Sequence, residues 1–231
     1  MTRTPLLLLG LLAGCGAAAP GDELFPLGPG HRWTYELRSE YENDTIEREV
    51  RVLETLPAQE LDGRSAFRRR SDSGVDYWLR TDASGIYRVA SKSDLDAAPK
   101  PDKEPRFVLK APIAVGTSWS ATTTAYLLMR REAFPREIRH SHPEVPMNYT
   151  IESLGEPVEV PAGRFERCVR VRGRATLRLF ADPVAGWRDL PLTTTEWYCP
   201  GVGLAKLVRE EPARSSFLTG GMLKMELLEV R

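Results

Sequence analysis

The sequence lacks net charge and has very few of the residues that usually carry catalysis. Its 231 residues contain 32 basic and 32 acidic side chains, but only three cysteines and three histidines. A balanced chain has no overall field that would attract nucleic acid or an anionic membrane. We therefore expect no nucleic-acid partner, and any charged ligand must meet a local patch.

Motifs of the common enzyme classes are also missing. The sequence has no Ser-centred nucleophile elbow, no His-Glu-x-x-His pair, no Gly-rich phosphate loop and no carboxylates at glycosidase-like spacing. His140 and His142 would offer two imidazoles to a metal, yet no cysteine or carboxylate at ligand spacing accompanies them. We expect a protein without catalysis, metal or cofactor, and we keep an enzyme of unrecognised type as a third hypothesis.

Long apolar runs are absent, apart from a short one near the N-terminus. Arg3 precedes the apolar residues 6–13, far fewer than the ~20 that a membrane-spanning helix needs. A basic residue followed by such a run is typical of a secretory signal peptide. Residues 12–15, Leu-Ala-Gly-Cys, resemble the lipobox of bacterial lipoproteins, whereas the alternative is an ordinary signal that happens to end in cysteine.

The lipobox resemblance implies cleavage before Cys15 and attachment of acyl chains to this residue. Several chains, at about 0.8 kcal/mol per buried methylene, make a stable membrane anchor. We therefore predict a signal peptide over residues 1–14, a lipidated tether over 15–24, and a domain held at a bacterial envelope membrane. Gly16 is not Asp, which favours the outer membrane in the sorting rule of enteric-type bacteria.

When Cys15 carries lipid, two other cysteines remain, Cys168 and Cys199. They form a candidate pair in an oxidising compartment, where disulfides persist. A bond would close a loop of about 30 residues and contribute about 3 to 4 kcal/mol. Strand parity argues against the bond. Cys168 would lie on the same face of its strand as a row of arginines, whereas Cys199 would lie on the same face as Trp197. The sequence leaves both a disulfide and two separate thiols open.

Alternation of apolar and polar residues with period two predicts β-strands along most of the mature chain. It is clearest over residues 164–179, where one face would pack on a core and the other would meet solvent. Gly173, within this stretch, indicates a bulge, a bend or a hairpin turn. Arginines on the polar face either bind an acidic polymer or lipid phosphates, or are solvated and hinder edge pairing. These arginines are Arg164, Arg170, Arg172, Arg174 and Arg178.

Three short signatures recur in the same order. "PLGPGHRW" (26–33) matches "PIAVGTSW" (112–119), "LDGRSAF" (61–67) resembles "PAGRFER" (161–167), and "DYWLRTDASGIYRV" (76–89) aligns loosely with "TEWYCPGVGLAKL" (195–207). Three matches in order favour a duplication, although turn glycines and core tryptophans also recur by chance in β proteins. Each glycine would allow a turn with positive φ before a strand with a buried tryptophan. The structural residues predicted from these signatures are Gly30, Trp33, Gly116, Trp119, Gly163, Trp197 and Gly203.

The predicted fold is all-β. We expect a strongly curved antiparallel sheet, a half-barrel or a sandwich, built from two duplicated β-meander units over residues 25–105 and 106–231 that share one core. The stretch "AYLLMRREAF" (125–134) fits a helix or a strand. The proline-rich stretches 97–105 and 140–146 predict surface loops.

A family resemblance rests on "FPLGPGHRWTYE", "VPAGRFERCVRV" and "TTTEWYCPGVGLAKL". These segments are similar to a group of uncharacterised bacterial lipoproteins and secreted proteins with PLxxGxxWxY, PAGxF and WYxxGVG motifs. The resemblance covers most of the mature chain, departs from it over 130–146, and implies a β-rich envelope protein without established chemistry. A more distant likeness to periplasmic lipoprotein-sorting carriers concerns the fold alone.

Two hypotheses for function follow. The first is a lipid-anchored, non-catalytic binding or structural domain whose partners are the membrane and a lipid, glycan or envelope protein. The second is a carrier or chaperone that holds an acyl chain, lipoprotein or glycolipid in a concave apolar sheet. A carrier needs an apolar cavity on the order of several hundred Å³, which a filled core lacks. The oligomeric state stays open.

Overall fold

The computed structural model describes residues 24–130, 144–182, 186–215 and 218–231. These residues contain β-strands and no α-helix. The first seven strands are β1 (Arg32–Tyr41), β2 (Ile46–Leu61), β3 (Arg64–Ser71), β4 (Asp76–Asp82), β5 (Gly85–Lys92), β6 (Lys100–Lys110) and β7 (Ser118–Thr123). The others are β8 (Met129–Arg130), β9 (Val145–Val160), β10 (Gly163–Asp182), β11 (Gly186–Cys199), β12 (Gly203–Glu211), β13 (Leu218–Thr219) and β14 (Gly221–Val230).

Twelve of the strands form one antiparallel sheet in the order β6-β5-β4-β3-β2-β1-β14-β12-β11-β10-β9-β7, and β8 pairs separately with β13. The sheet curves until its end strands, β6 and β7, approach each other, so it forms a nearly closed barrel. The predicted all-β class with a strongly curved antiparallel sheet is confirmed.

The two halves of the chain follow the same path through the sheet. Strands β1 to β6 stand in consecutive positions, and β7, β9, β10, β11, β12 and β14 repeat that order. Each half also begins in the same way, with a glycine at φ 90° (Gly30, Gly116) whose amide donates to a carbonyl of the second strand, Thr55 or Ile151, at 2.9 Å. This arrangement is the one expected from a duplication, which itself stays a prediction. The predicted boundary after residue 105 falls inside β6, so the structural halves meet after Lys110.

Residues 24–27 lie before β1 and fill the end of the barrel where β1 begins. Leu24, Phe25 and Leu27 are buried there. The guanidinium of Arg69 lies between two rings, 4.2 Å from the centre of Phe25 and 4.3 Å from that of Trp33. Burial of this cation lowers the pKa of Arg69 to about 10. The start of the described chain is thus part of the core.

Gly173 lies within β10 and marks no turn, so the expected bulge, bend or hairpin is wrong. It pairs in regular register with Thr194 on one side and Tyr149 on the other. A Cβ atom at this position would lie 2.5 Å from Thr194 Cγ2 and 2.7 Å from Met147 Sδ. The glycine is needed because neighbouring side chains fill the space above it.

Cys168 and Cys199 are fully buried and joined by a disulfide. The parity argument against this bond fails because Arg170 pairs directly with Trp197. The row of arginines and Trp197 therefore share a face of the β10–β11 hairpin, and the two cysteines oppose each other one pleat further along. Alternation within one strand does not fix a face relative to another strand until the register is known.

Two other local expectations also change. Residues 125–128 form a bend that leads into β8, so no helix begins there, and residues 131–134 lie outside the described ranges. The loop expected over 97–105 is partly strand, because β6 begins at Lys100. Cys15, His140 and His142 lie outside the described residues. In the part of the chain that is described, no helix has the length and apolar character needed to cross a bilayer.

Candidate ligand-binding site

A cavity of about 940 Å³ lies inside the barrel, towards the end where β1 finishes. This volume falls in the range of roughly 300–1,000 Å³ that is typical of ligand pockets. Its apolar lining consists of Leu37, Leu53, Tyr77, Leu127, Leu223 and Met225. Its polar lining consists of Ser39, Tyr41, Glu47, Arg48, Glu49, Arg51, Ser71 and the more exposed ring of Tyr126.

Strand register explains why the cavity has one apolar and one polar wall. Leu37 on β1 stands opposite Met225 on β14 and opposite Glu49 on β2. Directly opposed residues point to the same face of a sheet. The β1 and β14 side chains therefore supply the apolar wall, while β2 turns Glu47, Glu49 and Arg51 towards the same space.

The polar groups of the cavity are largely paired with one another. Arg51 forms an ion pair with Glu49 and another, at 3.4 Å, with Asp72. The hydroxyl of Tyr41 donates to Glu47 at 3.0 Å, and burial together with this carboxylate raises the pKa of Tyr41 to about 12. Because these polar groups already bind one another, a ligand would gain most of its attraction from contact with the apolar wall.

A short strap, residues 123–128, covers one side of the cavity and is held by the buried carboxylate of Glu211. This carboxylate accepts hydrogen bonds from the backbone amides of Tyr126 (2.9 Å), Leu127 (2.8 Å) and Leu128 (3.3 Å). Charge-assisted bonds of this kind are about twice as strong as neutral ones. The strap is therefore anchored through its backbone, which leaves its side chains available to line the cavity.

Arg209 fixes the other part of the strap. It forms a buried ion pair with Glu211 and donates to Thr123 Oγ1 at 3.1 Å and to the Thr124 carbonyl at 2.6 Å. Its guanidinium also lies 4.7 Å from the centre of the Tyr126 ring. Removing one partner of such a buried pair leaves an uncompensated charge, so the pair and the strap depend on each other.

A second hollow, the seam cleft, lies between the end strands β6 and β7 and has a volume of about 620 Å³. Its lining from β5 and β6 comprises Arg88, Pro101, Asp102, Lys103, Glu104, Pro105 and Arg106. Its lining from the opposite side comprises Ser120, Ala121, Thr122, Thr123, Thr124, Tyr126, Glu144 and Pro146. Tyr126 belongs to the walls of both hollows.

Two prolines and a bulge interrupt β6 along this seam. Pro101 and Pro105 have no amide hydrogen to donate across it. The β5–β6 register jumps from Arg88 opposite Arg106 to Ala90 opposite Pro101, so residues 102–105 bulge out of the strand. At the other junction between the halves, β1 and β14 pair from residue 33 to residue 41.

One half-buried carboxyl lies inside the barrel but lines neither hollow. Glu196 accepts a hydrogen bond of 2.5 Å from the Tyr198 hydroxyl and one of 3.3 Å from Thr194 Oγ1. Burial raises the pKa of Glu196, although both hydrogen bonds oppose that shift. Burial and the nearby Glu196 also raise the pKa of Tyr198. Because the pair reaches no cleft among the described residues, we assign it no catalytic role.

Four of the five arginines predicted as an anion-binding face have a carboxylate within 4 Å. Arg170 lies 2.8 Å from Glu156, and Arg174 lies 2.7 Å from Glu152. Arg164 lies 2.8 Å from Glu166, Arg172 lies 3.8 Å from Glu210, and Arg178 lies 6.0 Å from the centre of the Trp187 ring. The row is therefore no uncompensated positive surface. Among the described residues, no group of three or more His, Cys, Asp or Glu side chains could hold a metal ion.

The residues predicted from the repeated signatures lie in the frame of the barrel and line neither hollow. Trp33 and Trp119 are buried in the first strand of each half, and Trp197 Nε1 donates to Glu156 at 3.1 Å. Gly163 and Gly203 open β10 and β12 with positive φ. Sequence reasoning missed the cavity residues. Alternation with period two predicts the strands that carry these residues and says nothing about a hollow beside them.

No protein-family model matches the sequence, and no curated protein matches it. The fold is similar to the crystal structure of a predicted lipoprotein from Parabacteroides distasonis, with 14% identity, 93% of this chain and 100% of that chain covered, and a TM-score of 0.46. It is also similar to a predicted exported protein with a YmcC-like fold from Bacteroides fragilis, with 14% identity, 90% and 98% covered, and a TM-score of 0.40.

Proposed function

We propose that the chain is a lipid-anchored, non-catalytic binding protein of the bacterial envelope that holds the apolar part of a lipid-like ligand inside its barrel. The observation that carries this proposal is the cavity of about 940 Å³ with an apolar wall from β1 and β14. The space is open to solvent on one side, and its size and partly apolar lining match those of ligand pockets. The cavity therefore favours the carrier hypothesis over a filled structural barrel.

The anchor is the second element of the proposal. Cys15 precedes the first described residue, Leu24, by a tether that reaches at most about 30 Å when extended. We place the protein at the outer membrane, because Gly16 does not match the retention signal of enteric-type sorting. The test is metabolic labelling with an alkyne fatty acid. Wild-type protein should be labelled and pellet with outer membrane, whereas Cys15→Ser should be unlabelled.

The cavity is tested by filling it. The unlipidated Cys15→Ser form should carry lipid in native mass spectrometry after exposure to an envelope lipid extract. A Leu37→Trp change on this background places an indole in the cavity and should remove the bound lipid. Glu36→Trp, at the neighbouring outward position of β1, is the matched control and should keep it. Absence of lipid on the unfilled barrel, or its retention by Leu37→Trp, contradicts the proposal.

A further inference from the structure

We propose that the ligand is an alkyl chain bearing an uncharged, polyhydroxylated head group. The chain lies in the barrel cavity, and the head group lies in the seam cleft between β6 and β7. This inference rests on the proposed function and adds a second binding site and a ligand chemistry to it.

The two hollows are neighbours. Tyr126 lines both, and its side chain is 56% exposed although its backbone is fixed by Glu211. The same strap turns Leu127 to the cavity and Thr123 and Thr124 to the cleft. A molecule with an apolar and a polar end would therefore pass beside one aromatic ring and occupy both spaces.

The cleft offers both hydrogen-bond donors and hydrogen-bond acceptors. One wall carries the hydroxyl side chains of Ser120, Thr122 and Thr124, whereas the hydroxyl of Thr123 is already bound by Arg209. In the described part of the chain, β6 pairs only with β5 and β7 only with β9. The facing edges of such end strands present backbone N–H and C=O groups. A sugar hydroxyl both donates and accepts, and this surface offers partners of both kinds.

The cleft does not favour a head group of either charge. The lining contains three basic residues (Arg88, Lys103, Arg106) and three acidic ones (Asp102, Glu104, Glu144), so their formal charges cancel. Arg88 and Asp102 are already joined by two hydrogen bonds of 2.6 and 2.8 Å. An ionic head group of either sign would meet like charges as well as opposite ones, whereas an uncharged group avoids that repulsion.

The test compares three probes with the same twelve-carbon chain, each below its micelle concentration. These are dodecyl maltoside, dodecanoate and dodecyltrimethylammonium, titrated calorimetrically into the Cys15→Ser chain. We expect the maltoside to bind at least tenfold more tightly than either ionic probe, and free maltose to bind more weakly than the maltoside. Equal affinity for dodecanoate and the maltoside overturns the head-group assignment. Failure of all three probes to bind contradicts the proposed function itself.

Two substitutions on β7 locate the head group. Thr122→Trp blocks the cleft and should lower maltoside affinity to the dodecanoate level while leaving dodecanoate affinity unchanged. Ser118→Trp lies on the same exposed face of β7 but outside the cleft, and should change neither affinity more than twofold. If Thr122→Trp binds the maltoside as tightly as the parent, the head group does not lie in the seam. Far-ultraviolet circular dichroism establishes that both variants keep the fold.

Discussion

The indole Nε1 of Trp33 donates a buried hydrogen bond of 2.7 Å to the carbonyl oxygen of Val202. This bond joins the first strand of one half of the barrel to the β11–β12 turn of the other half. Trp119 occupies the matching position in the second half, but no acceptor among the described residues lies within hydrogen-bonding distance of its Nε1. The carbonyl that corresponds to Val202 is that of Ser84, which accepts the Ala111 amide at 2.8 Å.

This difference predicts unequal effects of the same substitution. Trp33→Phe and Trp119→Phe remove similar volumes, but only the first leaves a buried carbonyl without its donor. We expect Trp33→Phe to lower the free energy of unfolding by about 1–3 kcal/mol more than Trp119→Phe. Urea denaturation of the two variants measures the difference, and equal losses would contradict it.

The disulfide predicts a large dependence on redox conditions. Cys168 and Cys199 are 31 residues apart in sequence. Closing a loop of this size contributes about 4 kcal/mol in the chain-entropy model. Double substitution to alanine should lower the free energy of unfolding by about this amount. Reductant should destabilise the wild type to a similar degree and leave the double variant unchanged, and a reductant effect on the variant would show another cause.

Close packing at Gly173 predicts that even one methyl group is harmful there. Gly173→Ala should cost about 1–3 kcal/mol, because the new Cβ would overlap Thr194 and Met147 in the packed wall. Gly28→Ala is the matched control, since its Cβ would come no nearer than 3.4 Å to His31. Thermal unfolding should separate the two variants clearly. A Gly173→Ala protein as stable as the control would show that the wall repacks freely.

Burial of Glu196 predicts a distinct pH dependence of stability. Its pKa is raised in the folded state above the ordinary value of 4.5, because burial outweighs the hydrogen bonds from Tyr198 and Thr194 and the nearby Arg209 and Arg106. A raised folded pKa contributes stability below the unfolded value, and this contribution is lost as pH rises through the folded value. The wild type should therefore lose stability relative to Glu196→Gln as pH increases from about 4.5, by at most about 1.4 kcal/mol per pH unit. Urea titrations between pH 4 and 8 test the sign, and an opposite slope would be inconsistent with a buried carboxyl.

The sequence predicts the β class because period two is a local property of each strand, but the pairing of strands is not local. Strand β2 shows the limit. Its apolar Ile46 and Val50 are 53% and 56% exposed, while Glu47 and Glu49 line the cavity. A prediction from hydrophobicity alone would place Ile46 and Val50 on the inner face of the barrel and the two glutamates on the outer face. The register with β1, whose tryptophan and tyrosine must be buried, decides the matter.

The seam shows a similar limit. The prolines at 101 and 105 predict a break in regular structure, and the structure places that break inside an end strand instead of a loop. From the sequence alone, nothing indicates that β6 and β7 face each other, because their approach depends on the curvature of the whole sheet. The cleft and its hydroxyl lining therefore could not be predicted from the sequence, which contains each lining residue but does not show that they lie together.

With the proposed anchor at Cys15, the buried plug formed by residues 24–27 would give the barrel a direction relative to the bilayer. This plug lies where β1 begins, while the cavity lies along the later part of β1, whose ten residues span roughly 33 Å. A barrel tethered through residue 24 would on average turn its filled end, at the start of β1, towards the anchoring leaflet. The end that holds the cavity would then face away from that leaflet. Cargo would then be exchanged across the aqueous space and not with the membrane that holds the protein.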